Sequence, residues 1–118
     1  MASYRDLTVW QKAMDLTTEI YKLTKKLPKE ETYALSDQMR RASVSIPSNI
    51  AEGQDRNTRK EFCNFLYMAR GSRAELETQI DICLRVGYLT NDDVKQTISL
   101  LNEIGKMLSS LISKLKTA

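Results

Sequence analysis

Apolar residues in this chain fall at intervals of three and four in four successive stretches, which commits it to helices before any other feature is weighed. In the first stretch Val9, Ala13, Leu16, Ile20, Leu23 and Leu27 form one helical stripe, with Asp6 as the expected N-cap and Pro28 as the stop. Four Gly and two Pro in 118 residues leave little chain for irregular loops.

The second stretch starts behind Ser36 and carries Leu35, Met39, Ala42, Ile46 and Ile50, with Gly53 expected as a left-handed C-cap. Pro47 breaks a rule inside it. A mid-helix proline removes one backbone donor and clashes with the carbonyl four residues back, so a kink is expected, with Ser43, Ser45, Ser48 or Asn49 serving the freed groups. Thr58 and Glu61 have capping-box spacing ahead of a third helix along Phe62, Leu66, Ala69, Leu76, Ile80, Cys83 and Leu84, which Gly87 ends. Gly71-Ser72 interrupts that line, and the missing bulk should let a neighbouring backbone come close. Thr90 caps the fourth helix. The expected architecture is all-α: a single domain over residues 1–118, with helices at about 7–27, 36–53, 58–87 and 90–116. Short connections make it an up-down-up-down antiparallel four-helix bundle.

Helix four has more apolar surface than a bundle core needs. Beside its principal stripe (Val94, Ile98, Leu101, Leu108, Ile112 and Leu115) runs a second of Leu100, Ile104, Met107 and Leu111. Helix one repeats this with Trp10, Met14 and Tyr21 next to its main stripe. Two readings are open: these residues form a homo-oligomer interface, or they widen the core of a monomer.

Catalytic equipment is not evident. The chain contains no histidine, which removes the commonest general base and metal ligand and the Glu-x-x-His pairs of di-iron bundles. Glu75 and Glu77, two apart, point to different helix faces. A carboxylate-only metal site on Glu19, Glu52 or Glu103 has only the fold in its favour. Cys63 and Cys83 lie twenty positions apart on one helix, with neither a mutual bond nor a Cys-x-x-Cys motif within reach. No enzyme activity, metal, cofactor or small-molecule substrate is therefore expected. The start shows no apolar signal segment and no window is apolar enough for a membrane span, so a cytoplasmic protein without membrane contact is expected.

Charge is concentrated. Between Gln38 and Arg73 stand Arg40, Arg41, Arg56, Arg59, Lys60, Arg70 and Arg73 against only Glu52, Asp55 and Glu61, in a chain whose net charge is +3. Arg59 and Arg70 share one side of helix three, with Arg73 a turn further. Arg56, Arg59, Lys60, Arg70 and Arg73 are thus candidate phosphate contacts of a nucleic-acid surface. The alternative is structural, with Arg73–Glu77 and Asp81–Arg85 as i,i+4 pairs and Arg40 and Arg41 meeting Glu75 or Glu77 across neighbouring helices.

Four stretches carry a family resemblance. They are Asp6-Leu7-Thr8-Val9-Trp10-Gln11-Lys12-Ala13, the run from Gln38 through Arg40-Arg41 and Ser45-Ile46-Pro47-Ser48-Asn49-Ile50-Ala51-Glu52 to Gly53, the run from Ala69 through Gly71-Ser72 and Glu75-Leu76-Glu77 to Gln79, and Gly87-Tyr88-Leu89. In order and spacing they resemble the four-helix-bundle proteins encoded in intervening sequences of bacterial 23S ribosomal RNA genes, also called S23 ribosomal proteins. The resemblance implies a bundle that assembles as a ring, typically a homopentamer, with a role connected to RNA. It makes Arg40, Arg41, Pro47, Asn49, Glu52, Gly53, Gly71, Ser72, Glu75 and Glu77 motif positions and supplies no catalytic residue. Accessory proteins of diversity-generating retroelements are similar in fold and strongly basic, and the +3 of this chain departs from them. The function expected is RNA association by a homo-oligomer. Its alternative is a structural or protein-binding oligomer with no nucleic-acid role.

Overall fold

A computed structural model describes residues 3–117. Met1, Ala2 and Ala118, the ends of the expected domain, lie outside the described residues. Four helices account for most of the chain: α1 (Thr8–Thr24), α2 (Leu35–Gln54), α3 (Arg59–Val86) and α4 (Asn91–Thr117). Short 3-10 turns at Tyr4–Asp6 and Lys29–Glu31 precede the first two, and there is no strand among the described residues.

The helix ends show which local signals prevailed. Thr58 caps α3, accepting from the Glu61 amide at 3.1 Å while its hydroxyl donates to the Glu61 carboxylate at 3.1 Å. Gly87 closes α3 in the left-handed conformation (φ 83°), and Thr90 accepts from the Asp93 amide at 3.2 Å to start α4. Three expected signals are corrected. Asp6 lies in the first 3-10 turn, and α1 begins behind Leu7. The same helix ends at Thr24, before Leu27 and Pro28, so Leu27 plugs the core from a turn rather than from a helical stripe. Ser36 sits inside α2, buried, behind the N-cap Ala34.

Gly53 is a further correction. It is helical and buried, and α2 runs on to Gln54 with Asp55 as its C-cap. A Cβ there would fall 2.7 Å from Phe65 Cβ and 2.9 Å from Phe62 Cδ1, so its bareness serves the close packing of α2 on α3. Gly71 has the reverse fate: it is exposed, a Cβ would meet nothing within 4 Å, and no backbone approaches it. Its neighbour Ser72 makes the contact instead, donating to Ser45 Oγ at 2.8 Å, and Asn49 donates to the same oxygen at 2.9 Å. Pro47 lies within an unbroken α2. The Ser43 carbonyl that it deprives of a donor is served from another helix, by the Thr17 hydroxyl at 2.9 Å. None of the four expected polar residues of α2 does this.

Each helix packs on two neighbours, α1 on α2 and α4, and α3 on α2 and α4, with α2 against α3 the most extensive pairing. Leu16, Ile20, Met39, Ile46, Ile50, Leu66, Leu76, Ile80, Leu101, Ile104 and Leu108 are fully buried along the shared axis. This corrects Ile104, assigned to an interface by its stripe, which is 0% exposed and belongs to the core. Cys63 and Cys83 are buried free thiols. Burial, and secondarily the Glu31 carboxylate, pushes the Cys83 thiol above its ordinary pKa, so it packs as a neutral hydrophobe. No described helix is long and apolar enough to cross a membrane.

Candidate nucleic-acid interface

The basic residues divide into those consumed by the fold and those left over. Arg40 is consumed: its guanidinium donates to the Thr32 carbonyl at 3.2 Å and reaches Thr24 Oγ1 at 3.5 Å, tying the α1–α2 connection to α2. Arg41 pairs with Asp37 at 3.0 Å. Neither meets Glu75 or Glu77, which corrects the cross-helix pairing, because both arginines find partners nearer in sequence. Arg56 pairs with Glu52 at 3.0 Å and lies over the Phe65 ring. The expected Asp81–Arg85 pair is not formed among the described residues.

Arg73 also turns inward, so it is corrected as a freely presented phosphate contact. Its side chain is only 18% exposed, Nη2 lies 3.6 Å from Glu77 as the i,i+4 spacing implied, and Nε donates to the Leu101 carbonyl on α4 at 2.6 Å. Gly105 makes that crossing possible, since a Cβ there would fall 2.7 Å from Nε.

Arg59, Lys60 and Arg70 remain exposed and have no carboxylate within ion-pair range among the described residues. Arg70 opens onto a groove of about 600 Å³ between α3 and α4, lined by Arg70, Arg73, Asn102, Gly105, Lys106 and Ser109. Two cations that form no ion pair among the described residues, Arg70 and Lys106, stand with an amide and a hydroxyl beside the inward-turned Arg73, with no carboxylate among the lining residues. That donor set suits a phosphate, which accepts several charge-assisted hydrogen bonds at once. Sequence reasoning missed Lys106, Asn102 and Ser109. Asn102, Lys106 and Ser109 lie on α4 at i, i+4 and i+7, a visible spacing whose register against Arg70 only the packing of α3 on α4 determines.

The expected interface residues occupy two places. Trp10 and Met14 line an apolar groove with Tyr4, Val44, Pro47 and Ala51 between α1 and α2, and Tyr21 is 47% exposed further along α1. Met107 and Leu111 line a second groove with Leu7 and Val9 between α1 and α4, and Leu100 lines a polar one nearby. One apolar groove thus follows the α1–α2 seam and the other the α1–α4 seam. Among the described residues no cluster of three His, Cys, Asp or Glu side chains could hold a metal ion.

The sequence model of a family described as 23S rRNA-intervening sequence protein matches residues 5–110. The crystal structure of a protein of unknown function from the S23 ribosomal protein family of Bacteroides thetaiotaomicron is similar, with a TM-score of 0.82 and 29% sequence identity, covering 89% of this chain and 98% of that one. No curated protein matches the chain.

Proposed function

The chain belongs to the 23S rRNA-intervening sequence protein family, and from that premise we propose that it is a non-enzymatic, homo-oligomeric RNA-associated protein of the bacterial cytoplasm. Its RNA-facing surface is the α3–α4 groove that Arg70 lines, together with the exposed Arg59 and Lys60 in the first turn of α3. The carrying observation is that Arg70 and Lys106 line a carboxylate-free groove and have no ion-pair partner among the described residues.

The topology proposed is up-down-up-down antiparallel. Thr17 meets Ser43 and Thr24 meets Arg40, Ser45 meets Ser72 and Met39 meets Cys83, and Arg73 meets Leu101 and Tyr67 meets Lys116, so rising numbers on one helix pair with falling numbers on the next. For the assembly we read a ring, a homopentamer as the family resemblance implies. Two apolar grooves on separate faces support it, since a head-to-tail ring joins two unlike patches of each subunit.

Salt dependence tests the RNA reading. Log affinity for RNA should fall linearly with log salt, and Arg59→Ala with Arg70→Ala should flatten the slope by about 2. Absence of binding at low ionic strength would leave the structural-oligomer alternative, which the internal use of Arg40 and Arg73 favours. Light scattering at micromolar concentration tests the assembly, and a clean monomer refutes it.

A further inference from the structure

Next to the basic groove the α3–α4 seam carries an aromatic ring with two cations over it. The Arg70 guanidinium carbon lies 4.9 Å from the Tyr67 ring centroid, and Lys116 Nζ lies 5.2 Å from it. Arg70 belongs both to this cluster and to the groove, so ring and groove are continuous. Along α4 the seam runs from Lys106 to Lys116, about 15 Å at the rise of an α-helix. Interaction with Tyr67 holds the Lys116 ammonium above its ordinary pKa.

We propose that this seam binds an unpaired stretch of RNA, with a phosphate held between Arg70 and Lys106 and the adjoining base stacked on the Tyr67–Arg70 pair. The proposal rests on the RNA association argued above and adds which form of RNA is bound. Two properties of the seam select against a duplex. It is a shallow groove between packed helices, whose axes lie about 8–10 Å apart, and a flexible single strand can bend to keep its phosphates in it where a stiff duplex cannot. An aromatic ring under a guanidinium offers faces to stack on, and the bases of a duplex expose only their edges. Unpaired strands satisfy both, since their backbone follows a cationic groove while each base can turn onto a π-face.

Fluorescence anisotropy of the full chain with a labelled single-stranded RNA of about 12 nucleotides, and with the same strand annealed to its complement, tests this at low salt. The single strand should bind at least about tenfold more tightly. Tyr67→Leu, which keeps an apolar side chain against the core, should weaken single-strand binding about five- to hundredfold and leave duplex binding nearly unchanged. Lys106→Ala, on the exposed face of α4, should reduce the single-strand salt slope by about 1. A duplex bound as well as the single strand, or a Tyr67→Leu variant that folds and binds normally, overturns the proposal while the RNA reading stands. If neither RNA binds, the RNA reading itself fails.

Discussion

Arg73 occupies the space that a side chain on Gly105 would fill. A Cβ at Gly105 would fall 2.7 Å from its Nε and 2.8 Å from its Cζ, and the same Nε donates to the Leu101 carbonyl one turn earlier on α4. The two helices are therefore fastened by a long side chain on one and by the absence of a side chain on the other.

This relationship predicts a coupling. Alanine in place of a mid-helix glycine gains about 1 kcal/mol of helix propensity, whereas losing a charge-assisted hydrogen bond costs about 1.5–3 kcal/mol. Gly105→Ala should then be neutral or destabilising by up to about 2 kcal/mol in the native background, and stabilising by about 1 kcal/mol with Arg73→Met. Urea unfolding of the four proteins of the cycle measures it. Additive effects would show that Gly105 serves no such purpose.

How much of this was legible beforehand can be followed through the glycines and Pro47. Gly87 and the capping pair Thr58–Glu61 are local devices, and periodicity with turn chemistry located both. Gly53 and Gly105 work against side chains of another helix, Phe62, Phe65 and Arg73, and no window of one helix contains that information. The candidate site divides the same way. The arginines of α3 could be counted, but whether each meets solvent or a carbonyl depends on α4, which turned Arg73 inward and supplied Lys106. Apolar spacing alone cannot separate core from surface for a related reason: Ile104 follows the spacing of Leu100 and Met107, yet the packing of α4 on its neighbours takes it alone fully into the core.

The proline in α2 makes a second prediction. Pro47 leaves the buried Ser43 carbonyl without its i+4 donor, and the Thr17 hydroxyl, shared with the Ala13 carbonyl at 3.0 Å, replaces it. Thr17→Val keeps the volume and removes the donor, so it should cost about 1–2 kcal/mol, the penalty of an unsatisfied buried acceptor. In a Pro47→Ala background the restored amide serves Ser43, and the cost of Thr17→Val should fall below about 0.5 kcal/mol, because the two donors are alternatives. Equal costs in both backgrounds, measured by chemical denaturation, would mean that Thr17 acts elsewhere.

Acid stability provides the third. The Asp93 carboxylate is lowered from 3.8 to about 2, first by the Lys26 ammonium at 2.7 Å and then by the Thr90 amide at 2.9 Å and the Thr90 hydroxyl. In the folded protein it binds its proton less readily than in the unfolded chain. Its contribution is therefore complete above about 4 and is lost as the pH falls through about 2. Asp93→Asn should lower stability near neutral pH, where the variant lacks the charge that joins the first turn of α4 to the end of α1. The difference from the native protein should shrink between about pH 4 and pH 2 and disappear below that, where native Asp93 is itself neutral. Because the Lys26 side chain is 56% exposed, added salt should narrow the difference near neutral pH as well. Melting curves of both proteins across this range decide it, and a difference that persists unchanged below about pH 2 would assign the effect to hydrogen bonding at Thr90 rather than to the carboxylate charge.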